Sequence, residues 1–187
     1  RQSMITDGVD IREGVQIDRV EKSTRGVVVV LKTDDGETRI KGSNLLLATG
    51  RRPNVSSLNL EAAGVDYAPA GITVDKRLRT SNKHIFAIGD CAGALQFTHV
   101  ALYHAGIVIR NALFRLPARV NYKAIPWVTY TSPEVAQVGL NEEQARAKYD
   151  GNFQVLRWPF HENDRAQAEH STDGLVKIII TPNGKIL

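Results

Sequence analysis

The segment TSNKHIFAIGD, residues 80–90, carries the most information about the fold of this chain. Its polar start is typical of a turn, and the apolar residues 85–88 predict a short strand. At the end of that strand, Gly89 would let a ligand approach the backbone closely because glycine has no side chain. Asp90 offers a carboxylate that can accept strong hydrogen bonds from sugar-type hydroxyls. Ligands of open α/β sheets gather at the carboxyl ends of strands, so the segment predicts a nucleotide site in an α/β fold.

Composition sets broad limits on the class of protein. The 187 residues can form one large domain or two small ones, and 42% apolar residues suffice for a core. The net charge of +4 comes from 24 basic and 20 acidic residues without a long basic run, so we expect no nucleic-acid partner. No apolar stretch approaches the roughly 20 residues of a membrane-spanning helix, and no signal-peptide pattern follows Arg1. The single cysteine excludes an internal disulfide, and we expect a cytoplasmic protein without membrane contacts.

The first third of the chain has a β-rich pattern. Three strands are predicted, at residues 15–20, 27–32 and 38–41. Asp34-Asp35-Gly36 predicts a hairpin turn between the last two, since glycine tolerates the positive φ of such turns. The apolar run at residues 44–48 predicts a strand that is buried on both faces. A further short segment is predicted around residues 72–74.

The remainder alternates between helical and strand patterns. Apolar residues recur at intervals of three and four over residues 98–116, which predicts a helix ended by Pro117. Asn141 with Gln144 three residues later predicts a capping box for a helix that runs to residue 149. Strands are predicted at residues 125–130, 153–158 and 175–181, with a turn at 183–184 and the start of another strand at the end of the sequence.

Four segments in order along the chain resemble the pyridine nucleotide–disulfide oxidoreductases, which include dihydrolipoamide dehydrogenase, glutathione reductase and mercuric reductase. They are DGVDIREGV at 7–15, ATGRRPN at 48–54, residues 80–90 with the helix from Thr98, and residues 125–140. The triplet at residues 164–166 and the helix start at residues 99–101 most resemble the mercuric reductase-like branch.

This resemblance implies an α/β and α+β fold in three parts. Residues 1–48 would be the end of an NAD(P)-binding domain, 49–118 the second segment of a Rossmann-like FAD-binding domain, and 119–187 an incomplete α+β dimerisation domain. It also implies FAD and NAD(P)H as cofactors, a homodimer, and electron transfer from NAD(P)H through FAD and a redox-active disulfide to a small-molecule acceptor.

The resemblance also implies cofactor-binding residues. Asp90 would bind a ribityl hydroxyl of FAD, and Gly89 would leave space for it. Thr98 would present a backbone amide to the flavin pyrimidine carbonyl from the start of a helix, where it could also be a plain N-cap. Thr49 and Gly50 are expected near the flavin, with Gly50 allowing a tight turn.

No catalytic or metal-binding residue is predicted. Cys91 is interpreted as a small packed side chain, and the five histidines have no metal-site spacing, although His99 is a weaker candidate for a position near the flavin. The Cys-x4-Cys pair and the catalytic His-Glu pair of the family are not among these 187 residues. We therefore expect the chain to be part of such an enzyme, inactive and weak in FAD binding by itself. The alternative is a non-catalytic dimerisation or interaction module derived from that family.

Overall fold

The computed structural model describes residues 1–33, 36–93 and 95–187. They divide into two compact units, Arg1–Arg51 and Arg52–Leu187. No helix in these described ranges is long and apolar enough to cross a membrane.

The first unit is built on a three-stranded antiparallel meander, as the sequence predicts. A short helix, α1 (Gln2–Thr6), precedes strands β1 (Gln16–Ser23), β2 (Gly26–Thr33) and β3 (Gly36–Gly42). The central strand β2 pairs on both sides, and its apolar residues supply the buried side chains Val28, Val30 and Leu31. Helix α1 was not predicted from the pattern.

The hairpin between β2 and β3 is described only in part. The two strands pair as far as Thr33 and Gly36. Asp34 and Asp35, on which the turn prediction rests, lie outside the described residues.

The prediction of a buried strand at residues 44–48 is wrong. This segment has no regular secondary structure, and the exposed fractions of Leu46 and Leu47 are 86% and 77%. A strand forms where a neighbouring strand pairs with its backbone N–H and C=O groups. The described part of the first unit supplies none for this segment, since its sheet contains only β1, β2 and β3.

The second unit begins with loops around a small apolar core. Strands β4 (Tyr67–Ala68) and β5 (Gly71–Ile72) form a two-stranded hairpin, so the strand predicted around residues 72–74 begins and ends earlier than expected. The core of this region contains the buried side chains of Val55, Leu60, Val65, Ile72, Ala87 and Ala92.

The strand predicted at residues 85–88 is reduced to one isolated bridge. Phe86 pairs with Arg79, and Ile88 retains an extended backbone with φ −133° and ψ 155°. Ile88 thus adopts the predicted extended conformation, but a regular strand also requires a continuous ladder with a neighbour. Over the described residues that ladder does not continue beyond the bridge.

The long helix α2 (Thr98–Ala112) is confirmed at its start and ends earlier than predicted. Its buried residues Val100, His104 and Ile107 form one face. The side chain of Asn111 donates hydrogen bonds to the carbonyls of Ile107 and Ala118, both at 2.9 Å. Beyond the helix, Arg115 has a left-handed φ of 53°, and the Leu116 amide donates to the Arg110 carbonyl at 2.9 Å. A left-handed residue cannot continue a right-handed helix, so α2 ends before residue 116.

The rest of the second unit contains two β-hairpins and two helices. Strand β6 (Trp127–Thr129) pairs with β7 (Val135–Gln137), and β8 (Gln154–Pro159) pairs with β9 (Leu175–Ile180). Helix α3 (Glu142–Tyr149) follows the first hairpin, and α4 (Asp164–Ala168) lies between the strands of the second. Strand β7 and helix α4 were not predicted.

Two local predictions in this region are confirmed. The Asn141 side chain accepts a hydrogen bond from the Gln144 amide at 2.8 Å, and the Gln144 side chain accepts from the Asn141 amide at 3.1 Å, which is a capping box. The predicted turn near the end of the sequence also forms, with φ of 82° at Gly184. After it, Ile186 forms a single bridge with Ile180.

Candidate functional site

The Gly89-Asp90 pair begins a short 3-10 helix, Gly89–Ala92, directly after the extended residue Ile88. Gly89 is buried and Asp90 is half-buried. The φ of Gly89 is 64°, in the left-handed region where other residues are strained. The sequence therefore predicts correctly that an extended segment delivers this pair to its end, where the chain turns.

Helix α2 lies directly against Gly89. A Cβ atom at residue 89 would lie 2.9 Å from the Cβ of Ala101, a short side chain that cannot move without its helix. The backbone amide of Gly89 donates a hydrogen bond to Nδ1 of His104 at 3.0 Å. Glycine is required at this position by the helix itself, in addition to any ligand.

His104 belongs to this candidate site, and it was not predicted from the sequence. It is fully buried, and its Nε2 lies 2.8 Å from the hydroxyl oxygen of Tyr122. Burial lowers the pKa of His104 below its ordinary value and raises the pKa of Tyr122, to which Tyr103 also contributes. The spacing of Val100, His104 and Ile107 was the available signal, since a polar residue on the buried face of a helix must have hydrogen-bond partners.

Thr98 is the first residue of α2, and the N-cap is Phe97. The alternative that Thr98 is the N-cap is therefore wrong. The amides of Val100 and Ala101 donate to the Phe97 carbonyl at 3.0 and 3.1 Å. The amides of Thr98 and His99 come before the first intrahelical donor, so this helix end offers N–H donors and the positive end of the helix dipole.

His99 is fixed at the same helix end by two contacts. Its Nε2 lies 2.8 Å from the carbonyl oxygen of Pro126, and its ring stacks on Phe97 with centroids 5.3 Å apart. These contacts join the start of α2 to the segment that leads into β6.

Thr49 and Gly50 belong to the first unit, whereas Gly89, Asp90 and Thr98 belong to the second. Thr49 is exposed and lies at a bend. Gly50 has φ of 126°, which agrees with the expectation that its position needs a glycine.

Cys91 packs as the sequence analysis expects. Its thiol donates to the Ile88 carbonyl at 3.1 Å, and its side chain contacts the small apolar core of the second unit. Over residues 1–33, 36–93 and 95–187, no group of three or more His, Cys, Asp or Glu side chains is placed to hold a metal ion.

Comparison with known proteins agrees with this arrangement. The family model described as pyridine nucleotide-disulphide oxidoreductase matches residues 1–105, and the model of that family's dimerisation domain matches residues 125–187.

Individual relatives are similar over nearly the whole chain. The mercuric reductase of Staphylococcus aureus is 36% identical over 181 residues, which is 96% of this chain and 33% of that protein. The dihydrolipoyl dehydrogenase of Bacillus subtilis strain 168 is 34% identical over 182 residues, 97% of this chain and 39% of that protein. The HOCl-induced flavoprotein disulfide reductase RclA from Escherichia coli superposes with a TM-score of 0.82 at 30% identity, covering 97% of this chain and 41% of that structure.

The chain thus spans between a third and about two fifths of the length of these relatives. The matches cover both units, including the three described hairpins of the second unit, in the order that the sequence motifs predict. The chain belongs to the pyridine nucleotide-disulphide oxidoreductase family.

Proposed function

We propose that this chain carries one side of the FAD site and the dimerisation region of a cytoplasmic oxidoreductase that passes electrons from NAD(P)H through FAD and a redox-active disulfide to a small-molecule acceptor. Residues 1–48 would complete the NAD(P)-binding domain, 49–118 would belong to the FAD-binding domain, and 119–187 to the dimerisation domain. Both mercuric reductases and dihydrolipoyl dehydrogenases occur among the relatives, and the acceptor is proposed only as a small molecule.

The residues at the candidate site fit FAD in their chemistry. The half-buried carboxylate of Asp90 follows a buried glycine at a turn, and carboxylates accept strong hydrogen bonds from ribityl hydroxyls. The start of α2 offers amide donors at Thr98 and His99 that suit a carbonyl oxygen and negative charge. FAD supplies the redox chemistry when it is bound, and the protein supplies orientation and electrostatics.

The single observation that carries the proposal is the contact between the Gly89-Asp90 turn and helix α2. The Gly89 amide donates to His104 of that helix at 3.0 Å, which fixes the turn relative to the helix. The turn and the helix, packed together, therefore present both the Asp90 carboxylate, which can accept hydrogen bonds from hydroxyls, and the amide donors at the start of α2. In the proposal, Asp90 binds the ribityl chain, and the first turn of α2 stabilises negative charge on the pyrimidine side. Thr49 and Gly50 are proposed as further contacts.

Removal of the Asp90 carboxylate tests this assignment in the complete protein. Asp90→Ala should remove a charge-assisted hydrogen bond worth about 1.5–3 kcal/mol, and thus lower FAD affinity by about ten- to a hundredfold. The measurement is FAD titration together with flavin retention after dialysis. Asp173→Ala is the matched control, because Asp173 is an exposed carboxylate elsewhere in the second unit. Equal flavin retention in both variants would reject Asp90 as a ligand.

We further propose that a second copy of the chain packs on one face of the β8–β9 hairpin. Leu156 pairs with Ile178 and Trp158 with Val176, so these four side chains share one face. All four are exposed, by 38% to 55%, and the described residues leave this apolar face open. The match to the dimerisation-domain family over residues 125–187 supports a second copy as the occupant.

The opposite face of the hairpin is already occupied. Glu142 at the start of α3 accepts hydrogen bonds from Arg157 at 2.6 Å and from Lys177 at 3.0 Å, and Ile179 is buried. Side chains alternate between the two faces of each strand. One face of the hairpin therefore packs on α3, and the opposite, apolar face is the one proposed to contact the second copy.

Sedimentation measurements test the proposed dimer. We expect concentration-dependent association of the chain up to about 100 μM, since an interface of micromolar affinity corresponds to about −8 kcal/mol. Trp158→Glu should abolish it by placing charge on the apolar face. Tyr130→Ser is the control, because Tyr130 is 84% exposed and lies outside the hairpin. A clean monomer at all concentrations, or equal loss of association in both variants, would contradict the proposal.

A further inference from the structure

His104 lies in the middle of α2 between two polar groups that come from different parts of the second unit. Its Nδ1 accepts from the Gly89 amide at 3.0 Å, and its Nε2 lies 2.8 Å from the Tyr122 hydroxyl oxygen. The residue is fully buried. A buried imidazole with a partner at each nitrogen is held in one orientation.

These partners determine the protonation state of the ring. A backbone amide can only donate, so Nδ1 must carry a lone pair rather than a proton. The proton of the neutral ring is therefore on Nε2, which donates to the Tyr122 oxygen. Protonation of Nδ1 would bring two N–H donors face to face and break the bond to Gly89. Burial acts in the same direction, because it lowers the pKa of His104.

Two tyrosine rings and the 3-10 helix at residues 89–92 lie near His104 and its helix. The ring centroids of Tyr103 and Tyr122 lie 6.1 and 5.8 Å from that of His104. The 3-10 helix that packs against α2 contributes the ionisable residues Asp90 and Cys91. Asp90 directly follows the amide that His104 binds.

We propose that His104 is a positioning residue for the flavin site, which fixes the Gly89 amide as a neutral Nε2–H imidazole and thereby orients the Asp90 carboxylate. This inference rests on the proposed FAD-binding function. Through Tyr122 the same ring also connects the Gly89-Asp90 turn to the segment that leads into β6. His104 does not contact the ligand itself; it acts through the backbone of residue 89.

The tautomer can be tested without any flavin. Long-range ¹H–¹⁵N correlation spectra of the protein at pH 7 should show His104 with a pyridine-type Nδ1 and a protonated Nε2. This state should persist below pH 6.5, the ordinary pKa of histidine, because burial lowers the pKa of His104. A protonated Nδ1 at pH 7, in either the other neutral tautomer or the imidazolium, would overturn the proposal. Because this measurement needs no cofactor, its outcome is independent of whether the protein binds FAD.

Two substitutions separate positioning from simple packing in the complete, flavin-loaded protein. Gln at residue 104 can accept from the Gly89 amide and donate to Tyr122, whereas Leu can do neither. We expect FAD affinity within about threefold of wild type for His104→Gln and a loss on the order of tenfold for His104→Leu. Wild-type affinity should fall as the pH drops below the point where His104 protonates, and His104→Gln should lack that step. An equal loss of FAD affinity in both variants, or the same pH-dependent fall in FAD affinity in His104→Gln as in wild type, would overturn the proposal.

Tyr122→Phe keeps the test decisive if His104→Leu does not fold. It removes the acceptor of the Nε2–H bond but retains the ring, so the bond to Gly89 should remain and FAD affinity should fall by only about threefold. His104 should keep its Nε2–H tautomer in this variant. A tautomer switch without any change in FAD affinity would show that the Gly89 bond does not position the site. If no variant, including wild type, binds FAD, the proposed function fails while the tautomer measurement still stands.

Discussion

Two polar clusters in this chain differ in their exposure to water. In the first unit, Arg19 donates to Glu21 at 2.8 Å and to both oxygens of Glu37 at 2.8 and 3.0 Å, and Arg39 also binds Glu21. All four of these side chains are between a third and a half exposed. In the second unit, His104 makes two uncharged hydrogen bonds and is fully buried.

The comparison shows that the number of hydrogen bonds is a poor guide to their importance. Exposed ion pairs exchange good hydration for a screened attraction, so their net contribution is small. A buried donor or acceptor that loses its partner keeps the full cost of desolvation. We therefore expect that losing the single His104–Gly89 bond costs more stability than losing the whole Arg19–Glu21–Glu37–Arg39 cluster.

The largest effect is expected when the buried contact is disturbed sterically. Gly89→Ala should destabilise the protein by about 1–2 kcal/mol through its left-handed backbone and by about 1–3 kcal/mol more through overpacking against Ala101. Gly64→Ala is a matched control: its φ is 63° against 64° for Gly89, but a Cβ there has no atom within 4 Å. Urea denaturation of both variants measures the difference, and equal destabilisation would contradict the close packing of Gly89 on α2.

The half-buried helix cap at Asn141 should make an intermediate contribution to the free energy of unfolding. Asn141 is half-buried and caps α3 with its side chain. Asn141→Ala should cost about 1 kcal/mol, whereas Asn141→Ser should retain most of the stability because serine also caps helices well. The free energy of unfolding of both variants gives the test. If the serine variant is as unstable as the alanine variant, the loss does not come from the cap.

The pH dependence of stability should reveal His104. In the unfolded chain its pKa has the ordinary value near 6.5, and in the folded protein it is lower. Below pH 6.5 the unfolded state therefore binds more protons, so the contribution of His104 to stability is complete above that pH and falls as the pH decreases. Urea midpoints between pH 7.5 and 5 should decline in wild type and decline less in His104→Gln. Identical slopes would show that His104 is not held neutral.

The smallest effect is expected at the exposed cluster. Hydrogen bonds from Arg39 and Arg19 lower the pKa of Glu21, and the hydrogen bond from Arg19 lowers that of Glu37. The stabilisation from these hydrogen bonds is present at pH values above the ordinary carboxylate pKa and is lost as the pH falls through the lowered pKa values of Glu21 and Glu37. Arg39→Gln should change the urea midpoint little at pH 7, and the change should vanish in high salt. A large, salt-insensitive loss would mean that this cluster is less exposed in solution than in the structure.

Sequence patterns predicted the elements whose partners are close along the chain. The meander forms because β1, β2 and β3 pair with strands that are only a few residues away along the chain. The same reasoning failed at residues 44–48, where the apolar composition is similar but no described neighbour completes a ladder. It failed in part at residues 85–88, where Ile88 is extended but only Phe86 forms a bridge.

The sequence by itself determined the family, the order of its parts and the Gly89-Asp90 turn, because these depend on residue identity and local conformation. It also determined the capping box at Asn141, whose two partners are three residues apart. Only the tertiary structure decided the role of His104, since its partners Gly89 and Tyr122 lie 15 and 18 residues away. A hydrogen bond between such distant residues depends on how a turn and a helix pack, and no periodicity in the sequence encodes that distance.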